Sequence, residues 1–597
     1  MPQAFSTPGV YRVEKDLSNV VRPLGTSTGA MVGKTNVGPV NMRMLVSTDK
    51  QFVSTFGKPV SASDFAHYGA IQFLGESQNL WMVRCSYGDE RYANVAFPNA
   101  SAGITSATSA STISAMPTST ALADADYSDG YTLTTQDTDP GIGDIEEAST
   151  ISNYLTIASV GPGVYGNDLG IAIVTPSMSA ISGANGFNWK FKYDNASDVD
   201  SANAIWKKVY RVNVYTKNSN QDASTAWGTG SSAITANTPV ESFFVSNDPL
   251  AKDANGKSLY APYVINGYSA YIYIKKANLA NILPGDASAT VGIAQLTGGV
   301  DGTSAGSSQK GSALDLYADR TKVGLNILIV PDEIDSTNSA DVAYVQKAGN
   351  IAAARQDCIA SVQCTAKSDK TRDLANAALA RFNYNNPSYV APYVGYDKIY
   401  DQYTDSEVFI PKSIAGAVLM ARTDRVANVW DAPAGVNRGI IGYSIGTNMK
   451  LSEADIGSIY DNNGNTSKFV TGYGNVMWGQ KTAQKKASAL DRINVRRLLL
   501  YIENTVEPSL LPFLFENNND RTRSRVFAIV DQFLATVQAG GGLTAYRVVC
   551  DSTNNTSQVV DNNQLNVDIY VQPSKAIEFI QLQTVITRSG VNFNEVV

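Results

Sequence analysis

One histidine, His67, serves the whole 597-residue chain. That scarcity excludes histidine-based metal clusters, and any Ser-His-Asp arrangement would have to use His67 itself. Cysteine is nearly as rare. Cys85, Cys358, Cys364 and Cys550 are scattered, and the closest pair, Cys358 and Cys364, has neither metal-site nor redox spacing, so four reduced structural thiols are expected. No apolar run approaches the ~20 residues of a membrane-spanning helix. The opening MPQAFSTPGVY lacks the cationic start and apolar stretch of a secretion signal, which predicts assembly in a cytoplasm. Basic charge does not dominate either. With 47 Lys and Arg against 54 Asp and Glu the net charge is -7, so there is no overall pull toward nucleic acid.

What is present is ordinary globular material: 43% hydrophobic and 17% charged residues, far from the composition of disorder. The chain is too long for one core, and roughly 150 residues per domain suggests about four. Tyrosine, at 30, outnumbers phenylalanine and tryptophan, which suits half-buried sheet faces and interfaces, although strand propensity explains it equally well.

Along the chain, residues 1–20 read as an arm. Pro8-Gly9 breaks it, and alternation then sets Tyr11 and Val13 on one strand face with Arg12 and Glu14 on the other. Short apolar runs (AMVG, RMLVS, QFVSTFG) follow, and LWMVRC at 80–85 reads as a buried strand. Residues 99–125 are Ser/Thr/Ala-rich without periodicity, as in a linker or surface excursion. YLTIASV, LGIAIVTP, WKFKYD, KVYRVNVYT, ESFFVS and SAYIYIKK are then separated by turn residues, predicting one or two sandwich- or barrel-like domains. From VGLNILIVPD onward strands alternate with helices over 341–355, 369–382 and 414–426, which predicts a layered α/β core.

The C-terminal block is the most legible. NVRRLLLYIENTV reads as a helix stopped by Pro508. Asp520 is placed to cap a helix over 521–539 with a buried stripe of Val526, Ile529, Val530, Phe533 and Val537, closed by Gly540-Gly541-Gly542. AYRVVC is a strand, and LNVDIYV turns Leu565, Val567, Ile569 and Val571 inward. AIEFIQLQTVITR, 576–588, reads as a long strand with Ile580, Leu582 and Ile586 on one face and Phe579 and Val585 on the other. The expected fold class is therefore mixed α/β and α+β and multidomain: an arm (1–20), a layered α/β core (21–95 plus 311–484), an inserted, mainly β protruding region (96–310) and a C-terminal α+β domain (485–597).

Motifs of catalysis or cofactor binding fail on context. Gly161-Pro-Gly163-Val-Tyr-Gly166 has the spacing of a dinucleotide fingerprint, but a strand-like NDLGIAIVTP follows where a helix is needed. Gly29-Ala-Met-Val-Gly33-Lys34-Thr35 has one residue too few between its glycines for a phosphate loop. Glu146-Glu147 reads as an irregular acidic loop on a solvated surface. No cofactor, metal or catalytic residue is expected. One charge pattern is odd: Arg521, Arg523 and Arg525 crowd the start of a helix, where the macrodipole disfavours cations by ~0.3–1 kcal/mol each. They are expected to meet a partner's acids, with local ion pairs as the bland alternative.

Taken in order, three phrases resemble the contractile tail sheath family: STPGVYRVEKDLSNVVRPLGTSTGAMVGKTNVGPVN with LVSTDKQFVSTFGKP, IAGAVLMARTDRVANVWDAPAGVNRGIIG at 414–442, and INVRRLLLYIENTV with the elements after it. The resemblance implies a non-enzymatic subunit of a phage tail, stacked as six-subunit rings around an inner tube, that contracts to drive the tube through the host envelope. It implies as partners further copies of the chain, the tube protein, and baseplate and terminator proteins, with no direct nucleic-acid contact and no membrane insertion. A sheath of a bacteriocin or secretion machine is the alternative within the class; a multidomain surface hydrolase and a static tube, capsid or adhesin protein lie outside it. Members of the family join subunits by lending terminal strands to neighbours. Here the candidates are Val10, Tyr11 and Val13 in the arm, and Phe579, Ile580, Leu582, Val585 and Ile586 at the other end, with Arg521, Arg523 and Arg525 facing the tube.

Overall fold

The computed structural model describes residues 27–85, 90–98, 146–147, 153–174, 209–217, 237–246, 251–253, 256–277, 293–302 and 306–582. The arm with Val10, Tyr11 and Val13, the 99–125 stretch, WKFKYD, and Val585 and Ile586 lie outside them. Two compact units emerge: one spans Gly25–Val426 and Pro433–Ala487, the other Ser488 onward together with Ala427–Ala432.

The first unit is organised by a six-stranded sheet. Its strands are β1 (Gly29–Gly33), β2 (Arg43–Val46), β3 (Leu80–Arg84), β4 (Ile327–Ile329), β5 (Ile359–Gln363) and β6 (Val390–Tyr393), in the order β6-β5-β4-β1-β3-β2. All neighbours are parallel except β2, which runs antiparallel to β3. Gly29 pairs with both Leu80 and Ile327, so β1 joins sequence from the two sides of the insertion. β1, β4, β5 and β6 are buried along their whole length, which explains their largely apolar runs: a parallel sheet needs cover on both faces.

Helices α1 (Asp49–Phe56), α2 (Phe65–Leu74), α3 (Ser339–Arg355) and α4 (Lys412–Val426) provide much of that cover. Thr48 and Asn338 cap α1 and α3 through their side chains. QFVSTFG thus belongs to a helix, α1, whose Phe52 and Phe56 are buried. A side chain at Gly33 would strike Ala66, so glycine there allows α2 to press onto β1. The phosphate-loop lookalike is therefore the central strand of the sheet, with no loop to cradle an anion.

The insertion forms two four-stranded sheets, 94–98/153–159/272–277/146–147 and 294–295/169–174/210–216/241–245. One apolar core unites them. Val95, Ile157, Ile272 and Ile274 come from the first, Ile171, Ile173, Val212 and Val214 from the second, and Ala261 and Ile265 from helix Ala261–Tyr268. Strand Asn94–Pro98 belongs to the inserted sheet, and Arg91 pairs with Val300. The core resumes with helix Ser307–Leu314, which packs on β1 and α3. Glu146–Glu147 is a short strand beside Lys276–Ala277, not a loop, because its backbone finds a sheet edge. The Gly161–Gly166 turn leads through a 3-10 turn into strand Leu169–Val174; Arg84, wholly buried, bonds the carbonyls of Gly38 and Pro162. A strand thus follows where a dinucleotide fingerprint needs an α-helix.

Candidate intersubunit site

The second unit starts from two helices, α5 (Ile493–Leu510) and α6 (Asp520–Ala539). Leu498, Ile502 and Val506 of α5 meet Val530, Phe533, Leu534 and Val537 of α6. Three expectations are corrected here. Pro508 does not stop α5, which continues to Leu510, because Val506 and Leu510 anchor its last turns in the apolar core. The cap of α6 is Asn519, whose side chain accepts from Thr522 N at 3.0 Å, and Asp520 is the first helical residue. Ile529 is only half-buried, and Leu534 completes the stripe instead.

A two-stranded antiparallel sheet, β7 (Leu543–Val549) and β8 (Asp568–Pro573), closes the unit. Val548 and Ile569 pair inward, while Arg547 and Tyr570 pair on the exposed face. Val567, Ile569 and Val571 pack on the core as alternation requires. Between α6 and β7 the glycine run answers a steric need. Side chains at Gly540 and Gly542 would collide with the Trp430 ring, and Gly541 takes φ +80. Trp430 donates to Gly540 O at 3.2 Å and lies 6.0 Å from Tyr501, itself 5.7 Å from Phe533. The Ala427–Ala432 strap is thus part of this unit, which its place in the middle of the sequence does not betray.

A two-stranded sheet is weak unless a helix or a further strand supports it. Among the described residues neither outer edge of β7–β8 meets a third strand. The segment following β8 is the other half of the site. Residues 574–582 carry no secondary structure, so the described part of the expected strand, 576–582, is not paired here. Ile577, Phe579, Ile580 and Leu582 are between 81% and 88% exposed. A strand requires a partner edge, and among the described residues this stretch has none in its own chain. Beyond Ser574, Glu578 is fastened by Arg492, whose Nε and second guanidinium nitrogen donate to its carboxylate at 2.6 and 2.8 Å.

The three arginines do not act as a set. Arg523 is buried and donates to Asn518 Oδ1 at 2.9 Å and Asp520 Oδ1 at 3.2 Å, so it braces the start of α6 and is unavailable to a partner. Arg521 and Arg525 remain exposed, Arg525 lying over the Phe513 ring at 5.5 Å. Beside them the α5–α6 connection exposes Leu511, Leu514 and Phe515, the last with φ +68. Sequence reasoning missed this apolar tip, although the run LLPFLFE between two helices was its signal.

Residues 485–587 match the phage tail sheath C-terminal domain. The chain is 32% identical over 380 residues to the tail sheath protein of Vibrio phage KVP40 and 32% over 375 residues to that of Enterobacteria phage T4, in each case across 60% of this chain and 55% of the relative. It thus spans about half the length of the relatives it matches. A sheath tail protein from Listeria innocua superposes with a TM-score of 0.51 at 10% identity, covering 93% of this chain and 96% of that one, which shows a shared fold.

Proposed function

We propose, for a chain related to the tail sheath proteins and matching their C-terminal domain, the role of structural subunit in a contractile phage tail sheath. It works by assembly and not by catalysis, with copies of itself as first partner and the tail tube, baseplate and terminator proteins as the others. The virion tail is its place of action. The observation that carries this reading is the exposed apolar segment 577–582 beside a sheet whose outer edges meet no third strand among the described residues. Such a segment is an aggregation liability unless a neighbour completes it. Lent to the sheet of the next copy, one strand adds about six backbone hydrogen bonds, roughly 3–9 kcal/mol at ~0.5–1.5 kcal/mol each. A junction that repeats head to tail without closing yields a helical lattice, the geometry a sheath needs.

Deleting 576–597 tests the proposal. The truncated subunit should stay folded and soluble, with far-UV circular dichroism like the full chain, yet form no hollow tubes by negative-stain microscopy. Tubes of ordinary length from the truncated chain would sink it.

A further inference from the structure

The tail is anchored at an electrically awkward place. Arg492 immediately precedes α5, at the positive end of an 18-residue helix, where a cation is disfavoured. Two carboxylates offset this: Asp491, 3.1 Å from the guanidinium, and Glu578, held by two bonds in a parallel fork. The arginine and glutamate side chains are only 25% and 16% exposed, so water competes less than at an open surface. Ser574 N still bonds Gly542 O, which leaves Lys575, Ala576 and Ile577 alone between the sheet and this second fixed point. Beyond it Phe579, Ile580 and Leu582 are uncovered.

We infer that the Arg492–Glu578 pair is a clasp that sets where and in which direction the lent strand leaves its own subunit, presenting Phe579 onward to the sheet of a second copy. The clasp rests on the strand-lending role proposed for this tail. Arg492 and Glu578 are positioning residues: neither touches the neighbour, and both act through the segment they orient. A tail pivoting at Ser574 sweeps a larger volume than one held at Glu578. Its effective concentration at the accepting edge is correspondingly lower, and more orientational freedom is lost on docking.

The test uses the full chain with Glu578→Gln, with Arg492→Gln, and with the exchange of Arg492→Glu and Glu578→Arg together. Trypsin cleavage after Lys575 in unassembled subunits reads the freedom of the tail. Each single variant should be cut about tenfold faster at an unchanged unfolding midpoint, since the constraint removed is local. Its critical concentration for sheath formation should rise severalfold, and the exchange should recover part of both effects. Equal cleavage rates in all chains, or assembly of the single variants at the wild-type concentration, overturns the clasp. Deletion of 579–597 separates the two ideas. If that chain still assembles, strand lending itself fails; if it does not assemble while Glu578→Gln behaves as wild type, only the clasp fails.

Discussion

His67 is buried in the first unit. Its Nε2 lies 3.2 Å from Phe56 O and its ring meets Phe52 edge-on at 5.7 Å. Burial holds its pKa below the ordinary value, against the opposing pull of Asp64 and the Phe56 carbonyl, with Arg84 and Lys34 adding to the depression. The unfolded chain therefore takes up this proton first, as pH falls below about 6.5. Stability contributed at this site is full above that value and declines as pH drops toward the lowered folded pKa, by at most ~1.4 kcal/mol per unit. His67→Gln keeps a donor for Phe56 O and removes the titration. Urea unfolding at pH 7.5 and 5.0 should show the variant gaining on wild type at the lower pH; an identical gap at both would mean that His67 titrates alike folded and unfolded. A second buried polar group was invisible in the sequence. Lys412 and Asp397, both fully buried, pair at 2.6 Å, with Ser467 Oγ accepting from the same lysine at 2.8 Å. Lys412→Met strands the carboxylate and should cost about 3–5 kcal/mol in urea unfolding, whereas Lys412→Met with Asp397→Leu should recover most of it. Equal losses would show that the apolar stem of Lys412, and not its charge, matters. Such a pair is a spatial fact: Lys412 starts a helix, Asp397 lies in a strand, and no spacing rule links them.

Elements with their own periodicity were legible. The runs that became β3, β4, β5 and β6 are short and mostly apolar, and α3, α4 and α6 carry stripes at helical spacing. Elements that depend on others were less so. α5 outlasts Pro508 because tertiary packing of Val506 and Leu510 outweighs a local penalty of ~3 kcal/mol. The apolar faces of 576–588 predict a strand, yet a strand is a property of two segments, and among the described residues none pairs with 576–582. The arginine cluster divides the same way: three identical residues at alternate positions of one turn, of which Arg523 is folded into the unit. We propose that Arg521 and Arg525, with Leu514 and Phe515 beside them, form the face offered to an acidic, partly apolar tube. Exposed ion pairs of ~0.2–1 kcal/mol each are weak enough to be broken during contraction. Arg521→Glu with Arg525→Glu should reduce co-sedimentation with tubes and leave empty sheaths forming normally, and raised salt should mimic it. Arg523→Glu should instead lower the unfolding midpoint of the free subunit. If the exposed pair and Arg523 behave alike, the exposed arginines serve folding or sheath contacts.

If the chain lends strands within a contractile sheath as proposed, the question for the whole molecule is whether those strands stay in place while the sheath shortens. Each such junction, worth roughly 3–9 kcal/mol in backbone bonds, would have to open if strands exchanged. Rotation of each subunit as a body, with the connecting segments bending, keeps those bonds and changes only the weaker contacts between subunits. The two outcomes are separable with a disulfide, because the chain's own thiols do not interfere. All four cysteines are buried, and burial pushes the thiols of Cys85 and Cys364 up to about 12, so little reactive thiolate forms at neutral pH. Ile580→Cys in the lent segment, combined in turn with Gln572→Cys, Tyr570→Cys or Arg547→Cys on the accepting sheet, samples the registers in which Cβ atoms approach within about 4.5 Å. Oxidation of extended sheaths should give a ladder of covalent multimers on a non-reducing gel for at least one pairing. Those cross-linked sheaths should still shorten when contraction is triggered, at the wild-type final length by electron microscopy. Cross-linked sheaths that remain extended until reductant is added would mean that strands let go during the stroke, and contraction as rotation of tethered bodies would be wrong.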